Sequence, residues 1–194
     1  MEEKEKIMDN KITDDNSKST GRGSKQHNRR RRVPRKKKLY DNKVIELKPV
    51  TKVTKGGRQR RFSAVVVVGD RKGKVGVGAG KAAEIQDAIR KAESQATKNI
   101  VKVTLREDRT IFHEIEVRVG STKVMLKPAP EGRGLVAGGA VRSVLELAGV
   151  KDIVSKTFGS RTKKNMAEAT IKALLDQKTP EEIKELKSNN KTEA

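Results

Sequence analysis

Apolar and polar residues alternate along three successive stretches between residues 43 and 81, which predicts three consecutive β-strands. The first stretch, residues 43–53, contains Pro49, so it is expected to form an edge strand or to be broken there. The second stretch, residues 62–68, places apolar side chains on both faces, which are therefore both expected to be covered. These residues are Phe62, Ala64, Val66 and Val68 on one face, and Val65 and Val67 on the other.

The third stretch places glycine at every second position, whereas Val75 and Val77 point the other way. The alternating glycines are Gly76, Gly78 and Gly80. A strand face made of glycine presents bare backbone, so another part of the structure must lie close to it. Two neighbours fit this requirement, namely a helix of the same domain or the sugar-phosphate chain of a nucleic acid.

After residue 81 the apolar spacing changes to that of an amphipathic helix, predicted over residues 81–100. Its apolar positions are Ile85, Ala88, Ile89, Ala92, Ala96 and Ile100. Three strands and one amphipathic helix make a small α+β unit of the two-layer type.

The second half of the chain also mixes strands and helices. Strands are predicted over residues 101–105, 110–119, 123–127 and 152–158, and helices over residues 141–148 and 163–175. Gly149 is a suitable stop for the first of these helices, and His113 is expected to be a partly buried core residue. Thr179, Pro180 and Glu182 form a capping pattern that predicts a last, short helix.

Charge separates the N-terminal region from the rest of the chain. Residues 1–20 mix acids and bases with few apolar residues, and residues 29–38 carry eight cations in ten positions. Such segments bury too little apolar surface to fold alone. The expected organisation is a disordered or extended basic arm (1–40), a first α+β domain (41–105), a second α+β domain (106–187) and a frayed tail (188–194).

The net charge of +21 over 194 residues points to a polyanionic partner, with nucleic acid first and a membrane surface second. Aromatic residues make up only 2% of the chain, so base stacking is scarce. Recognition should therefore depend on phosphates and on the shape of double-helical RNA. With no cysteine and two histidines, no metal or other cofactor is expected. No apolar run approaches the roughly 20 residues of a membrane-spanning helix.

Two glycine-rich motifs are candidate nucleotide sites. The motif at residues 75–82 departs from a phosphate-binding loop, because Val75 stands where glycine is required and Ala82 where Ser or Thr is required. The motif at residues 131–140 precedes a predicted helix, and glycines there can cradle an anion. A loop that lets the helix pack closely, a macromolecular contact and, third, a nucleotide site all stay open. No catalytic set of side chains is recognisable, so no enzymatic activity is expected.

Two long segments, residues 51–85 and 127–160, resemble the signature segments of bacterial ribosomal protein five of the small subunit. The resemblance covers residues 44–186. It implies a double-stranded-RNA-binding-like domain of three strands plus a helix, followed by a βαβ-containing α+β domain with a left-handed crossover, which is unusual. It also implies binding to small-subunit ribosomal RNA at the body–head junction, near the messenger entry path. The resemblance further implies contacts with small-subunit proteins four and eight and a part in translational accuracy. It implies a cytoplasmic location and no homo-oligomer.

Two basic turns are predicted, at residues 55–58 and 69–73, and the backbone of both is expected to be accessible to a phosphate. The residues expected to contact ribosomal RNA belong to these turns, their flanking strands and the arm. They are Lys52, Lys55, Gly56, Gly57, Arg58, Arg60, Arg61, Arg71, Lys72, Lys74, Lys81, Arg29, Arg30, Arg31 and Arg32. The resemblance assigns a protein contact to the glycine motif and the following helix, at Glu131, Gly132, Arg133, Gly134 and Arg142. Two other functions stay open: a free regulator that binds structured RNA, and a small-molecule kinase using the loop 131–139.

Overall fold

The structure is a computed structural model that describes residues 39–107 and 109–184. Residues 1–38 of the predicted basic arm, with Arg29, Arg30, Arg31 and Arg32, and the predicted tail 188–194 lie outside the described residues. Within the described ranges, no helix is long and apolar enough to cross a membrane.

The first sheet contains four antiparallel strands that are neighbours in the order of the chain. They are β1 (Asp41–Thr54), β2 (Gly57–Gly69), β3 (Lys74–Ala82) and β4 (Val101–Lys102). β1 pairs only with β2 and continues through Pro49, because an edge strand does not need the N–H that proline lacks. The strand predicted over residues 101–105 is only two residues long in the structure, where it is β4. It joins the first sheet as a fourth strand, in addition to the three expected.

Helix α1 (Ile85–Lys98) covers one face of this sheet and resolves the alternative left open for the glycine face. A Cβ atom added at Gly76, Gly78 or Gly80 would lie less than 3.0 Å from backbone atoms of α1. The close neighbour is therefore a helix, and its buried positions are alanines that allow the approach. The helix begins later than predicted because Lys81 and Ala82 still pair with β2.

The second sheet has the spatial order β5-β6-β8-β7 and carries two helices. Its elements are β5 (Ile115–Val119), β6 (Thr122–Pro128), β7 (Leu135–Val136), α2 (Gly139–Ala148), β8 (Ile153–Gly159) and α3 (Lys163–Leu175). β7 and β8 run parallel and are joined through α2, which confirms the expected βαβ unit. The handedness of that connection stays a prediction.

The strand predicted over residues 110–119 is wrong in its first half, since β5 begins at Ile115. The backbone N–H of Phe112 donates to the side-chain Oε1 of Gln177, 3.4 Å away, so it is unavailable for strand pairing. Ile111 is nevertheless fully buried, and His113 is half-buried as expected. The alternation of apolar residues at this point therefore reflects which side chains are buried, although the backbone does not form a strand.

Two helix boundaries form where the sequence signals place them, at Gly149 and at Thr179. Gly149 adopts a left-handed conformation, with φ of 93°, at the end of α2. Residues 180–184 are helical, and the predicted capping pattern is formed at their start. The Thr179 N–H donates to Glu182 Oε2 at 2.8 Å, and the Glu182 N–H donates to Thr179 Oγ1 at 3.3 Å.

The two sheets share one hydrophobic core, which includes Val65 and Val67 of β2, Val124 and Leu126 of β6, and Leu145 of α2. The opposite face of β2 packs in a smaller cluster against α1. Both faces of β2 are therefore covered, as its two sets of apolar residues predict. The domain boundaries stay predictions.

Candidate nucleic-acid interface

The hairpin formed by β1 and β2 extends beyond the core, and every residue from 51 to 61 is exposed. Its turn consists of Lys55 and Gly56. The Thr54 hydroxyl donates to the Gly57 carbonyl at 3.0 Å, and Gly57 has a φ of 143°, which favours glycine. The predicted first turn is therefore formed, with its cations on a projecting ribbon.

Most cations of this hairpin are free of carboxylate partners within the part of the chain that the structure describes. Lys52, Lys55, Arg58 and Arg61 have no ion pair there, and neither has Lys81 on the adjacent strand. Arg60 is different, because its guanidinium lies over the Phe62 ring, 5.6 Å from the centroid. Unpaired, exposed cations are the groups that phosphate oxygens can bind without displacing an internal partner.

The second basic turn, residues 70–73, does not offer its backbone to a ligand. The Arg71 N–H donates to the Leu147 carbonyl and the Gly73 N–H donates to the Ala148 carbonyl, both at 2.9 Å. These carbonyls belong to the last turn of α2, where the helix supplies no donors of its own. The interpretation of this turn as backbone-accessible is therefore wrong, and the turn is a joint between the two halves of the fold.

The side chains of the second turn remain exposed. The Arg71 Nε atom pairs with Asp41 at 3.1 Å. Asp70 accepts the N–H groups of Lys72 and Lys74 at 2.7 and 2.9 Å, which fixes the backbone of the turn and leaves both ammonium groups pointing outward. Only the side chains of the three predicted RNA contacts here could reach a phosphate.

The glycine motif is held by an internal carboxylate. The Gly134 N–H donates to Asp152 Oδ1 at 2.8 Å, and Asp152 Oδ2 accepts from Arg109 at 3.2 Å. Arg109 also pairs with Glu131 at 2.6 Å, which ties the other side of the loop. The Gly134 N–H is thus already occupied. Strand β7 separates the loop from α2, so the first two glycines of the motif do not lie at the helix start as predicted.

Arg109 and Asp152 were not singled out by sequence reasoning. Their pairing spans 43 residues of the chain, and no local pattern indicates it. Of the predicted protein contacts, Glu131, Gly132 and Arg133 are exposed on the loop. Arg142 is exposed on α2 and pairs with Glu146 at 3.3 Å. Within the described ranges, no group of three or more acids and histidines could hold a metal ion.

The Asp152 carboxylate should make the stability of the protein depend on pH in acid. The hydrogen bond from Gly134, followed by that from Arg109, holds the pKa of Asp152 below its usual value of 3.8. A lowered pKa means that the group stabilises the fold above its unfolded pKa, and that this contribution is lost as the pH falls through the folded value. We expect Asp152→Asn to melt at a lower temperature than the parent protein at neutral pH, with a smaller further loss below about pH 4.

Thermal melts between neutral and strongly acidic pH at constant salt measure this effect. Asp176→Asn, at the exposed end of α3, is the matched control and should keep the parent protein's pH dependence. If acidification lowers the melting temperatures of Asp152→Asn and of the parent protein by the same amount, the Asp152 carboxylate does not stabilise the loop.

Comparison with known proteins agrees with this architecture. The family described as ribosomal protein S5, N-terminal domain, matches residues 40–104, and ribosomal protein S5, C-terminal domain, matches residues 117–187. The small ribosomal subunit protein uS5 of Mycoplasmopsis agalactiae is 49% identical over 173 residues, covering 89% of this chain and 74% of the relative. That of Mycoplasmoides gallisepticum is 46% identical over 156 residues, covering 80% and 69%. That of Campylobacter jejuni is 52% identical over 135 residues, covering 70% and 91%.

Proposed function

Because this chain belongs to the ribosomal protein S5 family, we propose that it serves in the small ribosomal subunit by holding ribosomal RNA. Its relatives are named as small-subunit ribosomal proteins, so the chain is a structural protein and not an enzyme. The kinase alternative for the loop 131–139 is therefore set aside. The working mechanism is polyvalent binding, in which many cations each neutralise one phosphate.

The observation that carries this proposal is the projecting part of the β1–β2 hairpin, residues 51–61, whose cations have no carboxylate partners in the described part of the chain. Holding like charges close together on an exposed ribbon is unfavourable unless an anion neutralises them. A folded RNA offers such anions at regular spacing, and its backbone accepts contacts from arginine and lysine without base readout.

We further propose the finer assignments that family resemblance implies. The hairpin contacts small-subunit ribosomal RNA at the body–head junction near the messenger entry path, in cytoplasmic ribosomes. The loop at Glu131, Gly132, Arg133 and Gly134, together with Arg142, contacts protein four, and protein eight is a second neighbour. By holding RNA segments in position, these contacts contribute to decoding accuracy.

Neutralising the hairpin tip tests the RNA contact. The variant Lys55→Gln, Arg58→Gln, Arg60→Gln, Arg61→Gln should flatten the salt dependence of binding to refolded small-subunit ribosomal RNA. The slope of log Kobs against log salt should fall by roughly 0.9 for each of the four cations that contacts a phosphate, and by no more than about 3.6 in all. Filter-binding titrations over a range of salt concentrations measure it.

The control variant removes four exposed cations that lie elsewhere, namely Lys91, Lys98, Lys151 and Lys172. It has the same net charge, so a general loss of attraction affects both variants equally. If the two variants show equal salt slopes, the hairpin does not contact the RNA specifically. A free RNA-binding regulator, the remaining alternative, would leave small subunits during sedimentation in high salt, whereas a subunit protein stays with them.

A further inference from the structure

We propose that one face of the first sheet, together with the start of α3, forms a single track for the phosphates of an RNA helix. We call it the phosphate track. Its residues are Lys48, Lys52, Arg61, Lys81 and Lys163. The opposite face of the same hairpin, with Arg58 and Arg60, is not part of this contact. This inference rests on the proposed RNA-binding function and adds to it which cations act together.

The strand register places four of these residues on one face. In an antiparallel sheet, residues directly opposite each other project to the same side. Lys48 pairs with Ser63, which pairs in turn with Lys81. Further out, Arg61 is paired with Val50, and Lys52 is paired with Gln59. The face therefore carries at least one cation in each of three successive rows between the core and the hairpin tip.

The surface itself agrees with this register. A shallow cavity of about 260 Å³ is lined by Val50, Lys52, Gln59, Arg61 and Lys81. These side chains come from three different strands and border one concavity. A concave surface with cations on its rim is the shape that can follow a rounded phosphate backbone.

The other face of the hairpin has a different chemistry. Here the rows are Leu47 with Ala64, Pro49 with Phe62, Thr51 with Arg60, and Val53 with Arg58. Leu47 and Val53 are exposed apolar side chains. Arg60 lies over the Phe62 ring, so its guanidinium is already engaged. The arginines at positions 58, 60 and 61 look like one cluster in the sequence, but alternation sends Arg61 to the track and the other two away from it.

Glu46 connects the track to the second half of the fold. It lies on the same face one row closer to the core, and only 14% of its side chain is exposed. Its Oε1 atom lies 2.9 Å from the Lys48 ammonium and 3.8 Å from that of Lys163, the first residue of α3. The start of α3 is therefore beside the track, and an RNA helix lying there would contact both halves of the fold at once.

The ion pairs of Glu46 do not prevent phosphate binding. Both lysines keep about half or more of their side chains exposed, although Glu46 itself does not. A phosphate can therefore bind either ammonium group from the solvent side. Glu46 opposes that contact electrostatically, which gives the track a residue whose neutralisation should strengthen binding.

Two triple variants with equal charge loss separate the faces, using refolded small-subunit ribosomal RNA as the probe. Lys52→Gln, Arg61→Gln, Lys81→Gln should reduce the salt slope by about 2 to 3, at roughly 0.9 per lost contact. Arg58→Gln, Arg60→Gln, Lys98→Gln should reduce it by less than about 1, since these residues lie off the track. Equal reductions for the two variants would overturn the assignment.

Single variants on α3 and β1 test the part of the track that sequence reasoning did not include. Lys163→Gln should lower the slope by about 0.9, whereas Lys172→Gln, near the other end of the same helix, should leave it unchanged. Glu46→Gln should tighten binding several-fold at constant salt. If Glu46→Gln binds RNA more weakly while its thermal melt matches the parent protein, Glu46 holds the site together and the track is wrong there.

The outcome for the parent protein separates this inference from the proposed function. A parent protein that does not bind the RNA, or that binds without salt dependence, contradicts the proposed function itself. A parent protein that binds with a steep slope, combined with equal losses in the two triple variants, leaves the proposed function intact and contradicts the track alone.

Discussion

Replacing Gly78 with alanine is expected to destabilise the fold by about 3 kcal/mol or more, which is a large part of the stability of an ordinary domain. The new Cβ would lie less than 3.0 Å from the Ala92 carbonyl oxygen, the Ala96 nitrogen and the Ala96 Cα. All three are backbone atoms of α1, so no side chain can rotate away to relieve the overlap. Gly76 and Gly80 meet α1 in the same way on either side, so a tilt of the helix only transfers the clash.

Urea unfolding followed by circular dichroism measures this loss. Gly139→Ala is the control, since no atom lies within 4 Å of a Cβ placed there and its backbone conformation suits alanine. It should be neutral or stabilising by up to about 1 kcal/mol. Similar stabilities for the two variants would show that α1 does not press against β3. The glycine face would then be open to a nucleic acid, the alternative that the sequence left open.

Gly149→Ala should have the second largest effect, at about 3 kcal/mol, because it combines backbone strain with overlap. Gly149 has a φ of 93°, where residues with a Cβ are strained, and the new Cβ would lie less than 3.0 Å from the Arg71 carbonyl oxygen and carbon. Arg71 belongs to the turn whose N–H groups bind the end of α2. The substitution is therefore expected to separate the second turn from α2 and to disrupt the left-handed cap at the end of that helix.

The two contributions can be measured separately with Gly132→Ala. Gly132 has a similar φ of 82°, but a Cβ there would meet nothing within 4 Å. Gly132→Ala should lower the free energy of unfolding by only about 1 kcal/mol, the cost of backbone strain alone. If Gly149→Ala is no more destabilised than Gly132→Ala in the same urea titrations, the turn does not dock on α2 as closely as described.

Secondary structure was predictable wherever it depends on neighbours along the chain. Alternation identified both faces of β2, and helical spacing identified α2 and the bounds of α3. The capping pattern at Thr179 also formed as expected, since all its atoms belong to four consecutive residues. The prediction failed at residues 110–114, where the N–H of Phe112 is taken by Gln177, 65 residues away.

The candidate site divides in the same way. Cations on glycine-containing turns were visible in the sequence, and the first turn is formed with its cations exposed. The second turn looked equivalent, yet its backbone binds the last carbonyls of α2. Lys163 was overlooked because its nearness to β1 rests on a contact with Glu46 across more than a hundred residues.

Residue order thus specifies which side chains share a face, since that parity follows from the fixed geometry of strands and helices. It also specifies the excess of positive charge and hence the class of partner. What covers each face is a different question, because a helix, an RNA backbone or solvent can satisfy the same local pattern. Tertiary packing decides this. It places α1 on the glycine face and the end of α2 on the second turn, and it leaves the cations of the hairpin in solvent.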